Sequence, residues 1–207
     1  MTEVFNRKEH WENIYSTKAL NEVSWYQPTP EISLSIIEET GIDKDAAIID
    51  VGGGDSFLVD HLIKADYTNI TVLDISEKAI ERAKTRLGND ANKVKWVVKD
   101  AAQFNPTEEY DLWHDRAAFH FLTNADEIAH YVEAASNNIT PNGSLVIGTF
   151  AKDGPLKCSG IAISQYDAED LKNTFTELTL KESYKVAHPT PFDTIQNFTF
   201  CWFKKPK

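Results

Sequence analysis

Cysteine is scarce in this chain of 207 residues: Cys158 and Cys201 stand far apart, with neither metal-type nor disulfide-framework spacing. A stapled secreted scaffold is thereby excluded, and a reducing cytoplasm is the expected location. His114, His120 and His188 together with Cys158 make no diagnostic ligand pattern, so no metal is expected. Long apolar runs are missing, which excludes a membrane-spanning helix, and no apolar leader precedes the first polar residues. Basic residues are in deficit, 21 against 32 acidic, for a net charge of −11. Their one cluster is the tail Lys204, Lys205, Lys207. Such a field repels a nucleic-acid backbone, leaving small molecules or basic protein segments as partners. Internal repeats, low-complexity tracts and linker-like segments are absent, and 42% hydrophobic content suits one domain with a sizeable core.

What is present centres on residues 48–62, IIDVGGGDSFLVDHL. Ile48, Ile49 and Val51 read as a short buried strand that ends in the turn Gly52-Gly53-Gly54. Ser56 is placed to cap a following helix whose inner face is Leu58, Leu62 and Ala65, and Asp55 is read as a further cap. Glycine lets the backbone approach a ligand, and a helix start offers free N–H groups. A second strand, Ile70 to Ile75, ends on Asp74. A carboxylate roughly 20 residues beyond such a turn is where nucleotide-binding folds meet ribose hydroxyls.

The remaining elements alternate. Residues 6–17 form a helix with Trp11, Ile14 and Tyr15 on one face, and Glu31 to Thr40 a second, presenting Ile32, Ile36 and Ile37 before Gly41. Between them Trp25-Tyr26 lies in a proline-bounded loop, as a core anchor or as a pocket wall. A helix from Ser76 to Leu87 precedes a third strand, Val94 to Val98, with Asp100 and Phe104 just beyond it, where they are placed to bond and stack on a base. Tyr110 to His114 is the fourth strand; a helix from Thr123 or Asn124 carries Ile128, Tyr131, Val132, Ala135 and Ile139 inward; Pro141-Asn142-Gly143 turns into strand five, Ser144 to Phe150. The βα alternation makes these strands parallel. After a short helix at 167–173, residues 178–186 and 198–202 alternate as strands without an intervening helix, hence antiparallel, on either side of a proline loop at 187–191.

Titratable groups at the carboxyl end of the fourth strand are the usual seat of chemistry in such sheets. The candidate bases are Asp115, His114 and His120, followed by Tyr166 and His188 from later loops. Each has a structural alternative: His114 half buried in the sheet, Asp115 paired with Arg116, His120 a core histidine. Cys158 lies in a glycine-flanked loop placed to cover an acceptor.

A parallel core closed by an antiparallel hairpin resembles the class I S-adenosylmethionine-dependent methyltransferases. Asp50-Val51-Gly52-Gly53-Gly54 looks like that family's acidic glycine loop around the methionine part of the cofactor, although Ser56 stands where the third glycine is usual. Asp74, with Ile75 beside it, matches the ribose acid, Asp100-Ala101 the step beside adenine, and Pro141-Asn142-Gly143 the turn before strand five. Trp25-Tyr26 and Asp115-Arg116 are similar to a subgroup with a Trp-Tyr loop and an Asp-Lys-Gly-Thr step, which includes the protein lysine methyltransferase acting on citrate synthase; here Ala117-Ala118 replaces Gly-Thr. The resemblance implies an α/β fold with a Rossmann-like, mostly parallel seven-stranded sheet, a C-terminal antiparallel hairpin and helices on both faces. It implies one methyltransferase domain over 1–207, with 1–45 a helical cap over the cofactor site. It also implies S-adenosyl-L-methionine as cofactor, and Asp50, Gly52, Gly53, Gly54, Asp74, Ile75, Asp100, Ala101, Trp25 and Tyr26 as its site. The acceptor is a small molecule or, alternatively, a protein lysine. A nicotinamide-linked oxidoreductase and a non-catalytic cofactor-binding module stay as rivals, since glycine loop and Asp74 would serve either.

Overall fold

The computed structural model describes residues 5–207. Its elements run α1 (Arg7–Thr17), α2 (Glu31–Thr40), β1 (Ile48–Val51), α3 (Leu58–Lys64), β2 (Ile70–Asp74), α4 (Glu77–Leu87), β3 (Val94–Val98), β4 (Tyr110–Arg116), α5 (Ala125–Asn138), β5 (Ile139–Phe150), β6 (Lys157–Cys158), β7 (Ile161–Ala162), α6 (Ala168–Thr174), β8 (Thr179–Pro189) and β9 (Ile195–Lys204). Seven strands form one sheet in the order β3-β2-β1-β4-β5-β9-β8, and β6 and β7 pair as a separate small hairpin. β1 pairs in parallel with β2 and β4, β2 with β3, and β4 with β5; β9 runs antiparallel to β5 and to β8.

The expected fold is thus observed. Apolar side chains alternate along the strands and supply two cores, one per face. On one, Ile49, Val51, Trp113 and Ile147 meet Tyr131 and Ala135 of α5 and Leu171 and Phe175 of α6. On the other, Ile48, Val72, Leu112 and Val146 meet Ile36 and Ile37 of α2 and Leu58, Val59 and Leu62 of α3. Each fully buried aliphatic contributes about 1.5–3 kcal/mol. At the C-terminal edge Gly148 makes room for Phe200 of β9: a Cβ there would lie 2.6 Å from the ring. The strand order reverses between β1 and β4, so a crevice opens at their carboxyl ends.

Several local expectations are corrected. Ala65 is exposed and ends α3; Val59 is buried in its place. Asp55 does not cap α3: its carboxylate pairs with Arg82 and Arg86 of α4. The Ser56 hydroxyl does accept the Leu58 N–H at 3.1 Å. β4 runs two residues beyond His114, so Asp115 and Arg116 belong to the strand. Ile139 opens β5 rather than facing inward from α5. Pro141-Asn142-Gly143 lies within β5, where the register with β4 shifts and Asn142 takes φ 63°. Ala187, His188 and Pro189 continue β8, because only residues 190–194 are needed to turn into β9.

Candidate cofactor site

The crevice is roofed by α1 and the loop after it. It has two compartments, which share Tyr15, Trp25, Gly52 and Arg116 as walls. The first reaches from Asp74, Ile75, Asp100 and Ala101 at the ends of β2 and β3 to Phe150, Cys158 and Phe198 beyond β4. The second is lined by Asp50, Gly53 and His114, with Tyr26 at its rim packed edge-on to Phe57.

The glycine turn is tight for reasons visible in its neighbours. Gly52 takes φ +69° and Gly54 φ +34°, and Cβ atoms there would sit 2.5 Å from Ala118 Cβ and from Asp74 Oδ2. A Cβ at Gly53 would overlap the Asp50 carboxylate and approach Val72 at 3.1 Å. The turn therefore brings main chain, not side chains, against the acids at the ends of β1 and β2.

Those acids differ in their partners. Asp50 Oδ1 lies 2.7 Å from His114 Nδ1, and Oδ2 is buried without a partner among the described residues. Asp74 Oδ1 accepts the Ser76 N–H at 2.8 Å. Burial pushes the Asp74 carboxyl up to about 7 against that bond, with the charges of Asp50, Glu12 and Asp55 adding to the rise. Asp100 accepts Arg7 Nη1 on both oxygens, at 3.0 and 2.9 Å, and the Ala102 N–H at 2.9 Å; Arg7 also reaches Glu127 at 2.7 Å. Phe104 does not join Asp100 in the crevice. It is buried in the core against Trp113.

Aromatic rings make the roof. Trp11 meets Trp25 and Phe121 edge-on, with centroids 5.7 and 5.0 Å away. The loop that carries Trp25 and Tyr26 is braced from β8, where His188 Nε2 lies 2.8 Å from the Ser24 carbonyl and therefore donates to it. His188 Nδ1 then accepts from Gln27 at 3.4 Å.

The three residues expected to supply a base do not converge on the crevice. Asp115 is fully buried on the opposite face, accepting the Tyr131 hydroxyl at 2.6 Å and the N–H groups of Ala118 and Phe119. Burial lifts its carboxyl to about 6, opposed by those bonds. It makes no pair with Arg116, whose Nη1 donates instead to the Trp25 carbonyl at 3.1 Å. His120 is fully buried between Phe121 and Phe150. Its Nδ1 accepts the Phe150 N–H at 3.2 Å, and burial, then the Arg116 charge, lowers it to about 3, so the ring stays neutral. His114 borders the second compartment but is pinned between Asp50 and Ser33 Oγ, 2.9 Å from Nε2. Tyr166 is packed on Phe119 in the core. Cys158 does line the first compartment, with its thiol pushed up by burial to about 11.

Three participants escape a reading by motif. Arg7 and Glu12 tie α1 to the sheet end, and Phe198 walls the first compartment from β9. Ala117 holds φ 66°, a left-handed conformation at the cavity wall that costs a non-glycine residue strain. It stands where the resembled subgroup has glycine, a signal that was available.

Residues 48–143 match the family model described as a methyltransferase domain. Among curated relatives, malonyl-[acyl-carrier protein] O-methyltransferase 2 of Ilyobacter polytropus is 27% identical over 107 residues, 51% of this chain and 40% of its own length. The match thus spans well under half of that relative. The EEF1A lysine methyltransferase 2 of Danio rerio is 24% identical over 157 residues, 68% of this chain and 66% of that one. Among solved structures, the N-methyltransferase NodS of Bradyrhizobium japonicum WM9 in complex with S-adenosyl-L-homocysteine superposes with a TM-score of 0.70 at 16% identity, over 98% of this chain and 100% of that one. This likeness is one of fold. Among the described residues no helix is long and apolar enough to cross a membrane.

Proposed function

We propose that the chain is a class I methyltransferase that takes its methyl group from S-adenosylmethionine, with residues 1–207 acting as one domain and 1–45 as its cap; of these, residues 1–4 lie outside the described residues. One observation carries the reading. Two acids, Asp50 on β1 and Asp74 at the end of β2, adjoin the Gly52–Gly54 turn, and a third, Asp100 just past β3, lies along the same crevice at the switch point of the sheet.

The residues present fit that cofactor. Asp74, buried and with only Oδ1 bonded among the described residues, would accept the ribose hydroxyls. Asp100, steadied by Arg7, and Ala101 and Ile75 would flank the adenine. The Gly52–Gly54 backbone would cradle the methionine part, and the orphaned oxygen of Asp50 would accept its ammonium group. Trp25 and Tyr26 would wall it in. S-adenosylmethionine, when bound, supplies a methyl group on a sulfonium for in-line displacement. The chain's own work is to hold the cofactor, exclude water behind the Trp11–Trp25–Phe121 roof, and aim the acceptor. With Asp115 and His120 sealed in the core and His114 pinned, this site serves an acceptor that arrives already nucleophilic.

Phe150, Phe198 and Trp25 enclose the end of the cavity beyond β4, which favours a small-molecule acceptor. A protein lysine, as in the subgroup with the Trp-Tyr loop, is the second reading; it is supported by the likeness to the Danio rerio lysine methyltransferase.

Isothermal titration of the purified chain with S-adenosylhomocysteine, beside NAD as rival titrant, tests the proposal. Micromolar binding of the former and none of the latter is expected. The reverse outcome would reassign the crevice to a nicotinamide cofactor, and binding without transfer to any acceptor would make the chain a binding module.

A further inference from the structure

The chain has four arginines, and three of them sit on carboxylates: Arg7 on Asp100 and Glu127, Arg82 on Asp55, Arg86 on Asp55 and Asp60. Arg116 is the exception. Its Nη1 donates to the Trp25 carbonyl, while Nε and Nη2 are buried with no acceptor among the described residues. Burial lowers its pKa only to about 10, so the guanidinium remains charged at neutral pH. A buried cation with unmet donors is costly to keep, and a partner of opposite charge offsets that cost. The Phe198 ring lies 4.9 Å from Cζ, and the residue lines the cavity wall.

Its position says which ligand meets it. The cavity crosses the sheet from the ends of β2 and β3, with Asp74 and Asp100, to the ends of β5 and β9, with Phe150 and Phe198. Arg116 ends β4, beside Cys158 and Phe198 in the first compartment, and also borders the second, where Asp50 lies. A planar fork of N–H donors matches a carboxylate in a bidentate way, and the surrounding rings match an apolar body.

We propose that Arg116 anchors a carboxylate on the methyl acceptor, so that the enzyme selects small acids with an aromatic or aliphatic body; this rests on the methyl-transfer reading above. The other source of a carboxylate is the amino-acid end of the cofactor itself, and the test separates the two.

Binding of benzoate, phenylacetate and indole-3-acetate, each beside its carboxamide, is measured by thermal shift and calorimetry with and without saturating S-adenosylhomocysteine. The wild type, Arg116→Met and Arg116→Lys are compared, after melting curves establish that each variant is folded. Expected are acids binding the wild type at least tenfold tighter than amides, a preference lost in Arg116→Met and partly kept in Arg116→Lys, and S-adenosylhomocysteine affinity within threefold across all three. Equal binding of acids and amides to the wild type overturns the inference, as does a preference that survives in Arg116→Met. A tenfold or larger loss of S-adenosylhomocysteine affinity in Arg116→Met also overturns it, assigning the charge to the cofactor's carboxylate. A wild type that ignores S-adenosylhomocysteine yet prefers acids defeats the methyl-transfer reading while leaving the anion site standing, so the two failures are told apart.

Discussion

Glu12 accepts a hydrogen bond from the Ser76 hydroxyl at 3.0 Å, and so joins α1 to the N-terminus of a helix more than sixty residues away. The same carboxylate accepts the N–H groups of Glu77 at 2.8 Å and Lys78 at 3.1 Å. Partial burial alone would raise its pKa, but these bonds, with the Lys8 charge, carry it below the usual carboxylate range. At the far end of α1, Arg82 Nη1 donates to the carbonyls of Tyr15 and Lys18. The roof over the crevice is thus fastened to α4 at two points, both polar and both breakable.

Glu12→Ala should loosen that roof while leaving the sheet intact. Losing a carboxylate from a helix N-terminus costs about 1 kcal/mol. Hydrogen exchange should show faster exchange of the α1 amides, with little change in those of β1, β4 and β5. Unchanged exchange in α1 would mean that Trp11 and Tyr15 hold the helix unaided.

Asp74→Ala should weaken S-adenosylhomocysteine by about 1.5–3 kcal/mol, the worth of hydrogen bonds to a charged acceptor. The raised pKa adds a second readout. If binding requires the ionised carboxylate, titration near neutral pH should release a proton, and the measured enthalpy should vary with the ionisation enthalpy of the buffer. Equal enthalpies in phosphate and Tris would remove Asp74 from the ribose.

Gly54→Ala pushes a methyl group to 2.5 Å from Asp74 Oδ2 and puts a side chain at φ +34°. The strained backbone should cost about 1 kcal/mol of stability. S-adenosylhomocysteine affinity should fall at least tenfold, because the turn and the ribose acid can no longer both keep their places. A folded variant that binds normally would separate the glycine turn from the cofactor.

Tyr131→Phe tests a buried relay in which the Trp113 indole donates to the Tyr131 hydroxyl at 3.0 Å, and that hydroxyl donates to Asp115 at 2.6 Å. The substitution strands the indole N–H and takes a donor from the carboxylate, at a cost of about 1–3 kcal/mol. A urea midpoint equal to wild type would show that the relay contributes nothing net.

Stability should fall as pH rises. Asp74 and Asp115 have their pKa values raised by burial to about 7 and about 6. An unfolded aspartate releases its proton near ~3.9, so between that value and the folded ones the native state holds protons that the unfolded chain has lost. The resulting stability is complete below the unfolded pKa and is lost as pH passes through 6 to 7. Glu12, Asp153 and Asp170, all lowered, act in the opposite sense on acidification below the ordinary carboxylate range, and His120, lowered by burial to about 3, and His188, also lowered, act in the opposite sense below the ordinary histidine value of ~6.5, offsetting part of the loss. The Asp74 contribution is read as a difference: the melting temperature of wild type relative to Asp74→Asn should fall between mildly acidic pH and about 7. Parallel profiles for the two proteins would contradict the raised pKa of Asp74.

The strand ends and the glycine turn between them were legible because their cues are local. Strand ends, glycine turns and caps are written within a few residues, which is why Asp50, Asp74 and Asp100 fell at the ends of their strands and Ser76 at the start of α4. The far wall of the cavity was not. His114 and Asp115 are neighbours in sequence but project from opposite faces of β4, and ending that strand at His114 put Asp115 in the crevice when the pleat turns it into the core. Arg116, two residues from His114, returns to the crevice face, and its value lies in what it fails to pair with, which no spacing discloses. Glu12 and Phe198 act across distances in the chain that only the folded sheet closes.

The placement of β9 between β5 and β8 also sets a schedule. On the ribosome, β1 to β5 emerge first and can assemble their parallel ladder. The open edge of β5 then waits for residues 195–204, the insert that pairs along its length and brings Phe198 to the cavity wall. Until that segment leaves the exit tunnel, a nascent chain owns the glycine turn and the acids but no finished chamber. A closed cavity is thus a property the fold acquires only once residues 195–204 are seated, and an unpaired apolar strand edge is the hazard of the interval before it.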